Sequence, residues 1–330
     1  MSKVLVTGAN GFLGSWVVRK LSEQGHDVSI LARKSSDLSE LEGLDYRTHY
    51  GDVTQPETLA AAFKGHETVF HLAGVIAYKK ADRALMEKVN VGGTQNVLDA
   101  IPQSDVSKLV YLSSVVAIGA GLEKGQILNE KAPFNIHHLD LGYFETKHEA
   151  EKRVKAACDA KTVDAVMLNP STIYGPGDAK KGSRKTQLKV AQGKFPFYTE
   201  GGVNVVDVED CVAGILSAWK KGRTGERYIL AGENLTIQDL FKLIAERAGV
   251  PAPTKRLPPW ALYTLGWIGD RMTDVGLKGP VSLENAYTSQ MYHWFDNSKA
   301  KAELGFEARP AREAIAKSVD WMREKGLLNT

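Results

Sequence analysis

The chain has little of what marks several protein classes. Among 330 residues there are only two cysteines, Cys158 and Cys211, and neither stands in a Cys-x-x-Cys pair or a Cys/His cluster. A disulfide framework and a zinc site both need such clusters, so we expect neither disulfides nor metal ligands. This cysteine usage also suits a reducing compartment.

Long apolar runs are missing as well. The most apolar late stretch, residues 260–268, is far shorter than the roughly 20 residues that a membrane-spanning helix needs. The first apolar strand follows directly on Met-Ser-Lys, which leaves no room for a signal peptide. We therefore expect no transmembrane segment and a cytoplasmic location.

An excess of one charge is also absent. The formal net charge is +3, and the basic residues are spread along the chain, whereas nucleic-acid binding regions concentrate them. We expect no nucleic-acid partner. Hydrophobic residues make up 43% and charged residues 25%, which is typical of a soluble globular protein. The length suffices for one large α/β unit or two smaller units, and association into a homodimer stays open.

What the chain does contain is a regular alternation in its first half. Short β-branched runs alternate with helical patterns, which is typical of a parallel sheet with helical crossovers. The pattern predicts an α/β fold, namely a Rossmann doubly wound parallel sheet. The predicted strands are residues 4–7, 28–32, 46–50, 68–72, 109–113 and 165–169. The predicted helices are residues 12–24, 56–63, 81–100 and 144–160.

This alternation ends at Pro170. Glycine, proline and lysine become frequent over residues 175–202, and strand-like runs return at 203–208 and 227–230. We therefore predict a smaller, interleaved C-terminal lobe that binds substrate. The predicted division is a dinucleotide-binding Rossmann domain at 1–169, with returns near 203–230 and 290–297, and a substrate-binding lobe at 170–202 and 231–330.

A glycine-rich turn lies between the first predicted strand and the first helix, with the sequence TGANGFLG at residues 7–14. Gly8 permits a tight turn, Gly11 lets the backbone approach a pyrophosphate, and Gly14 lets helix and strand pack closely. The helix starts at Phe12 and Leu13, where free N–H groups and the helix dipole favour an anion. This context predicts a dinucleotide site.

The end of the second predicted strand indicates which dinucleotide is bound. Folds that prefer NAD place a carboxylate there for the ribose 2′-hydroxyl, but this strand is followed by Arg33, Lys34 and Ser35. Two cations and a hydroxyl suit a 2′-phosphate. NADP(H) is therefore the predicted cofactor and NAD(H) the alternative. The competing interpretation is that Arg33 and Lys34 are solvated residues without a ligand.

Tyr143 and Lys147 form the candidate catalytic pair. They are four residues apart, so they share one face of the predicted helix, and no other of the 11 tyrosines has lysine at that spacing. A nearby ammonium lowers the pKa of a phenol, which suits proton exchange during turnover. Ser114, after the preceding strand, can bind the same substrate oxygen. The competing interpretation is an exposed surface pair.

Several further motifs follow in order: GDV at 51–53, HLAG at 71–74, NVGGT at 90–94, SS at 113–114 and NPSTIYGPG at 169–177. Together with the glycine turn and the tyrosine/lysine pair, they resemble the extended short-chain dehydrogenases/reductases of the NAD-dependent epimerase/dehydratase superfamily. The resemblance covers most of the first lobe.

This resemblance implies roles for individual residues. Asp52 would bind the adenine amine, Ala73 and Gly74 would lie against ribose and phosphates, and Pro170 would pack beside the nicotinamide. Lys147 would also hold the nicotinamide ribose. The complete set of expected cofactor-binding residues is Gly8, Gly11, Phe12, Leu13, Gly14, Arg33, Lys34, Asp52, Val53, Leu72, Ala73, Gly74, Tyr143, Lys147, Pro170 and Thr172.

Two branches of the family are resembled in different parts of the chain. GFLGSW at 11–16 is similar to dihydroflavonol reductases and cinnamoyl-CoA reductases. The segments VNVVDV at 203–208, GERYIL at 225–230 and GENLT at 232–236 are similar to hopanoid-associated sugar epimerases. Sugar-nucleotide epimerases often carry Tyr-Gly after the catalytic serine, whereas this chain has Ile118 and Gly119.

Three functions therefore compete. The first is an NADPH-dependent reductase, or reversible dehydrogenase, of a ketone or aldehyde on an apolar or aromatic small molecule, with Tyr143 as proton donor. The second is a sugar-nucleotide epimerase or reductase with tightly bound NAD(P). The third is a non-catalytic NADPH-binding regulator, against which the intact tyrosine/lysine pair argues.

Two features of the second lobe bear on these alternatives. A sugar nucleotide would need paired cations for a second pyrophosphate, and the evident cluster is Lys180, Lys181, Arg184 and Lys185. The segment 257–279 combines aromatic residues with glycine and proline. It is consistent with a mobile cover over the pocket, a membrane-surface patch or an ordinary packed helix pair.

Overall fold

The computed structural model describes residues 1–179, 184–277 and 279–328. Lys180 and Lys181, named above as candidate cations, lie outside the described residues. The strands are β1 (Lys3–Thr7), β2 (Asp27–Ala32), β3 (Arg47–Tyr50), β4 (Thr68–His71), β5 (Lys108–Leu112), β6 (Ala165–Pro170), β7 (Thr172–Tyr174), β8 (Phe197–Tyr198), β9 (Gly202–Asp207), β10 (Arg227–Leu230), β11 (Glu233–Thr236) and β12 (Lys255–Arg256).

The α-helices lie mostly between these strands. They are α1 (Phe12–Glu23), α2 (Leu59–Phe63), α3 (Arg83–Met86), α4 (Gly93–Ala100), α5 (Gly142–Asp159), α6 (Lys185–Ala191), α7 (Val208–Lys221), α8 (Ile237–Ala248), α9 (Pro259–Asp274), α10 (Leu283–Thr288), α11 (Ser298–Leu304) and α12 (Ala311–Glu324).

The central sheet has seven parallel strands in the order β10-β6-β5-β4-β1-β2-β3. The predicted Rossmann fold is therefore confirmed. The order in which successive strands are added to the sheet reverses between β1 and β4. Strands β2 and β3 are added on one side of β1, and β4, β5 and β6 on the other. A crevice opens beyond the carboxyl ends of the strands at such a reversal, and this is where open α/β sheets bind ligands.

Helices cover both faces of this sheet. Val4 and Val6 of β1 belong to the core beneath α1 and α7, while Leu5 between them belongs to the opposite core beneath α2, α4 and α5. All three are fully buried. Successive residues of a strand point to opposite faces, so a strand with apolar residues at every position is what a sheet buried on both sides requires.

A second lobe packs beside the carboxyl edge of the sheet. Its three-stranded sheet has the order β11-β9-β7, and its core includes Val205, Phe241 and Ile315. The chain crosses between the lobes more than once, because β10 adds to the edge of the central sheet beside β6. Tyr292 also pairs with Gly121. The exact boundaries of the two lobes stay a prediction.

The structure differs from the predicted helix at 81–100. Residues 80–82 form a 3₁₀ turn, α3 follows, residues 87–92 are π-helical, and α4 then completes the segment. Asn90 lies within the π-helical part, and its side chain bonds both the N–H and the carbonyl of Val75. A π turn is rare and occurs often at functional sites.

Two other element boundaries differ by one or two residues from the predicted ones. Helix α5 starts at Gly142, two residues before the predicted 144, so Tyr143 is inside its first turn. Strand β9 ends at Asp207 because that carboxylate accepts a hydrogen bond from the N–H of Glu209 at 2.8 Å and caps α7. In the described ranges, no helix combines the length and the apolar character needed to cross a membrane.

Candidate active site

The glycine turn occupies the crevice at the end of β1. Gly8 has a φ of +70°, and a Cβ added there would lie 2.6 Å from the N atom of Ala73. A Cβ at Gly14 would collide with the carbonyl oxygen of Gly8, so α1 contacts the turn directly. No side chain caps the start of α1 at Gly11, and no acidic residue lies in its first turn. The N–H groups of that turn are thus left for an anion.

Two cations follow β2 at the same edge of the sheet. The side chains of Arg33 and Lys34 are exposed, and the backbone there is fixed by a bond from the Arg33 N–H to the Ser36 hydroxyl at 3.2 Å. Neither cation forms an ion pair with any residue that the structure describes. Both charges are therefore free to meet an anionic group.

Asp52 lies in the loop after β3. Its Oδ1 accepts hydrogen bonds from the N–H and the hydroxyl of Thr54, both at 2.9 Å. The adjacent Val53 is buried, and its carbonyl accepts a bond from Asn96 at 2.9 Å. The carboxylate is therefore held in one place while remaining partly open to solvent.

The loop after β4 is fastened by buried polar groups. Thr7 and His71 are joined at 2.7 Å, and the N–H of Ala73 donates to the Thr7 hydroxyl at 3.2 Å. Burial, together with the charge of Lys147, lowers the pKa of His71 to about 3, so its imidazole is neutral. Asn90 closes the loop by its two bonds to Val75. The backbone of 72–74 is thereby held against Gly8.

Tyr143 lies at the start of α5, and both it and Lys147 are buried, with 8% and 6% exposure. This burial excludes the interpretation of an exposed surface pair. Burial raises the pKa of the Tyr143 phenol, the nearby phenol of Tyr78 raises it further, and a side-chain hydrogen bond with Ser114 lowers it. The net direction is upward, opposite to the lowering that the spacing of Tyr143 and Lys147 predicts. Tyr143 therefore holds its proton at neutral pH.

Lys147 is fixed one turn further along the same helix face. Its ammonium donates to the carbonyl of Leu112 at 2.7 Å and lies 5.0 Å from the centre of the Tyr111 ring. Burial lowers the pKa of Lys147 to about 8, and the carboxylate of Glu151 opposes this effect. An ammonium has three donors, so two remain after the bond to Leu112.

Behind the pair lies a buried polar network that none of the sequence motifs above predicts. Glu151 is 5% exposed; its two oxygens accept bonds from Arg227 at 3.1 Å and from Asn169 at 2.6 Å. The same amide of Asn169 donates to the carbonyl of Ser114 at 2.9 Å. Ser114 is thus linked to Glu151 through Asn169, and the charge of Glu151 also acts on Lys147. Glu151 lies four residues after Lys147, and this helical spacing was a signal that could have indicated its place beside the pair.

The segment after β6 returns towards the glycine turn. Pro170 is buried at the end of β6 and Thr172 is half-buried at the start of β7. Further on, the indole of Trp16 donates to the carbonyl of Pro176 at 3.3 Å, and a Cβ added at Gly177 would lie 3.5 Å from the Phe12 ring. The motif at 169–177 therefore runs beside the first turn of α1.

An apolar wall packs around Tyr143. The wall has fully enclosed members and half-buried residues that pack against them, and Tyr287 among the latter comes from the second lobe. The enclosed members are Met86, Ala120, Ile136, Leu141, Phe144 and Met291, and the half-buried ones include Val75, Ala77, Tyr78, Val116 and Tyr287. The ring centres of Tyr78 and Tyr143 are 6.1 Å apart in an edge-to-face arrangement. Tyr78 was missed because no local pattern marks it.

The structure thus brings the predicted residues to one edge of the sheet. Gly8, Leu72 and Ala73 are in direct contact, Ser114 meets Tyr143, and the segment of Pro170 and Thr172 leads back to α1. A turn with no room for side chains, an uncapped helix start and unpaired cations fit a dinucleotide phosphate. Among the described residues, no group of three or more His, Cys, Asp or Glu side chains is arranged for a metal ion.

Comparison with known proteins agrees with this geometry. The model of the NAD dependent epimerase/dehydratase family matches residues 4–231. A Synechocystis protein, provisionally named as a dihydroflavonol 4-reductase, is 33% identical over 98% of this chain and 96% of its own. Sterol demethylase protein B of Methylococcus capsulatus is 29% identical over 98% of this chain and 99% of its own.

A solved structure is similar over the whole length. The crystal structure of gox2253 has a TM-score of 0.88 and 36% identity, and the match covers 100% of both chains. Similarity at this level extends through the second lobe as well as the Rossmann sheet. The resemblance that the sequence motifs suggested, to extended short-chain dehydrogenases/reductases of the dihydroflavonol reductase kind, is thereby confirmed. The similarity to hopanoid-associated sugar epimerases stays a prediction.

Proposed function

Because the chain belongs to the NAD dependent epimerase/dehydratase family and is thus an NAD(P)-dependent oxidoreductase, we propose that it uses NADPH to reduce a ketone or aldehyde on an apolar small molecule. One observation carries the proposal. A buried tyrosine that keeps its proton, Tyr143, is bonded to Ser114 and surrounded by an apolar wall. This is the environment in which a carbonyl oxygen can be protonated as it becomes negative.

Three residues of the chain have separate roles in this reaction. When bound, the nicotinamide supplies the hydride for the carbonyl carbon. Ser114 donates a hydrogen bond to the substrate oxygen and fixes its position. Tyr143 gives its proton to that oxygen, so the carbonyl becomes an alcohol. The Lys147 ammonium stabilises the phenolate left on Tyr143 until a proton from water replaces the one transferred.

The preference for NADPH is supported by the end of β2. Arg33 and Lys34 are exposed there without ion-pair partners among the described residues, and none of residues 33–36 directly after the strand is a carboxylate that could bind a ribose 2′-hydroxyl. A 2′-phosphate would gain two charge-assisted contacts. The ratio of kcat/KM for NADPH and NADH tests this assignment, and a preference for NADH would overturn it.

The apolar class of substrate is supported by the wall around Tyr143. Its half-buried members, such as Val75, Val116 and Tyr287, leave apolar surface for a ligand. The two relatives described above are named as a flavonoid enzyme and a sterol enzyme. Flavonoids and sterols are both largely apolar ring systems. A sugar nucleotide offers little that such a wall would bind.

The test is net oxidation of NADPH with a panel of aromatic aldehydes and ketones. We expect Tyr143→Phe to bind NADPH as the native protein does and to lose turnover by at least about a hundredfold. Tyr198→Phe, outside the candidate site, is the matched control and should keep full activity. An epimerase would interconvert a sugar nucleotide without net oxidation, and a regulator would bind NADPH without any turnover. Unchanged turnover in Tyr143→Phe would remove that residue from the mechanism.

A further inference from the structure

The outer face of α9 is an exposed apolar surface. Trp260 is 72% and Trp267 is 56% exposed, and these two indoles stand two helical turns apart on the same side of the helix. We define the outer face by its exposed large apolar side chains. They are Trp260, Leu265, Trp267 and Ile268. Large apolar side chains grouped on the surface of a folded protein often mark a contact surface.

The inner face of α9 is packed against the wall of the candidate active site. A Cβ at Gly269 would collide with the Val281 carbonyl, and one at Gly266 would lie 2.9 Å from the Cα of Leu283. These contacts hold α10 in place. Its Glu284 accepts a hydrogen bond at 3.3 Å from the N–H of Gly142, the first residue of α5. Tyr287 of α10 packs on the apolar cluster of Tyr143. Two helices therefore separate the outer face from the reacting residues.

The size of the outer face favours a lipid surface over a second copy of the chain. An aromatic side chain carries roughly 150–250 Å² of surface, so the exposed parts of the four side chains, two of them indoles, amount to something on the order of 500 Å². A stable protein interface buries about 800 Å² on each partner. One helix face of this size falls short of that, yet it suffices for a helix lying in the interface of a bilayer.

The chemistry of the outer face also matches a lipid surface. Tryptophan, with an apolar ring and one N–H donor, concentrates at the level of lipid headgroups. Arg271 lies over the Trp267 ring, with 5.7 Å between the guanidinium carbon and the ring centre. Its charge is offset by Asp274 at 3.9 Å. A locally balanced charge implies binding through apolar burial more than through attraction to anionic lipids.

We propose that the outer face of α9 docks on the surface of a lipid bilayer. Docked in this way, the α9–α10 pair would place the apolar wall of the site next to the phase in which an apolar carbonyl compound accumulates. This second step rests on the proposed function, whereas the docking itself does not.

The experiment uses the full chain and phosphatidylcholine vesicles, without substrate. We expect the native protein to sediment with the vesicles, and an equal mixture with phosphatidylglycerol to change its partition coefficient by less than about threefold. The double variant Trp260→Ser/Trp267→Ser should lose at least about tenfold in that coefficient, because two indoles no longer enter the bilayer. The matched control, Leu122→Ser/Ile127→Ser, removes side chains that are 51% and 54% exposed elsewhere and should bind as the native protein does.

A second measurement does not depend on a variant. Lipids brominated near the headgroup should quench the tryptophan fluorescence of the native protein, and this quenching should disappear in the double variant. Equal binding of double variant and native protein, or no binding to either kind of vesicle, would overturn the proposal. So would a dimer in sedimentation velocity without lipid that dissociates in the double variant. NADPH oxidation with a water-soluble aldehyde, measured without vesicles, tests the proposed function separately.

Discussion

The glycine at the end of β1 offers a sharp test of how the cofactor crevice is built. Gly8 has a φ of +70°, where a side chain is strained, and an added Cβ would lie 2.6 Å from the Ala73 N atom and 2.7 Å from the Leu72 carbonyl carbon. Those backbone atoms have little freedom to move away, because Thr7 and His71 are paired in the sheet. The perturbation is the substitution Gly8→Ala.

Gly25 provides the matched control. Its φ of +74° is nearly the same, but nothing lies within 4 Å of an added Cβ. Gly25→Ala therefore measures the left-handed backbone strain alone, about 1 kcal/mol of the free energy of unfolding. Gly8→Ala adds overpacking against immobile backbone, which lowers the free energy of unfolding by a further ~1–3 kcal/mol. We thus expect a loss of about 2–4 kcal/mol for Gly8→Ala.

Urea denaturation of both variants gives the two losses of stability, and titration with NADPH gives the second readout. Gly8→Ala should weaken NADPH binding by at least about tenfold, because the loop 72–74 that borders the crevice must shift. Gly25→Ala should leave NADPH binding unchanged. Equal losses of stability in the two variants, or native NADPH affinity in Gly8→Ala, would refute the reasoning.

Four further outcomes are expected. Ser114→Ala should lower kcat about a hundredfold with little change in the NADPH KM, as measured by NADPH oxidation, because one donor to the substrate oxygen is lost. Arg33→Ala should raise the KM for NADPH at least about tenfold and leave that for NADH unchanged. Reduction should slow as pH rises through about 8, because Lys147, whose pKa is about 8, then loses its charge. Glu151→Gln removes the carboxylate that raises this pKa, so the falling limb of kcat/KM should move to lower pH; an unmoved limb would contradict the assignment.

Much of the fold follows from local sequence patterns. All seven strands of the central sheet start and end within one residue of the predicted positions, because β-branched runs and the residues that end them are adjacent in the chain. The glycine turn was equally clear, since the spacing of Gly8, Gly11 and Gly14 expresses contacts made within one loop and helix start. These features need no knowledge of distant partners.

The missed features depend on partners far apart in the chain. The predicted single helix at 81–100 is interrupted because Asn90 bonds the backbone of Val75, 15 residues earlier. Glu151 meets Arg227 across 76 residues. A periodicity argument sees only which face of an element is apolar. It does not see which buried polar group will lie opposite, and that choice is made by the topology of the sheet.

The direction of the Tyr143 pKa illustrates the same limit. From spacing alone, an ammonium four residues away is expected to lower the pKa of a phenol. In the folded chain, Lys147 is bonded to Leu112, and burial within the apolar wall has the larger effect on Tyr143. Desolvation depends on every residue that encloses the phenol, and these come from both lobes. Under the proposed function, the wall that would select an apolar substrate also raises the pKa of Tyr143, so substrate selection and proton retention would share one structural cause.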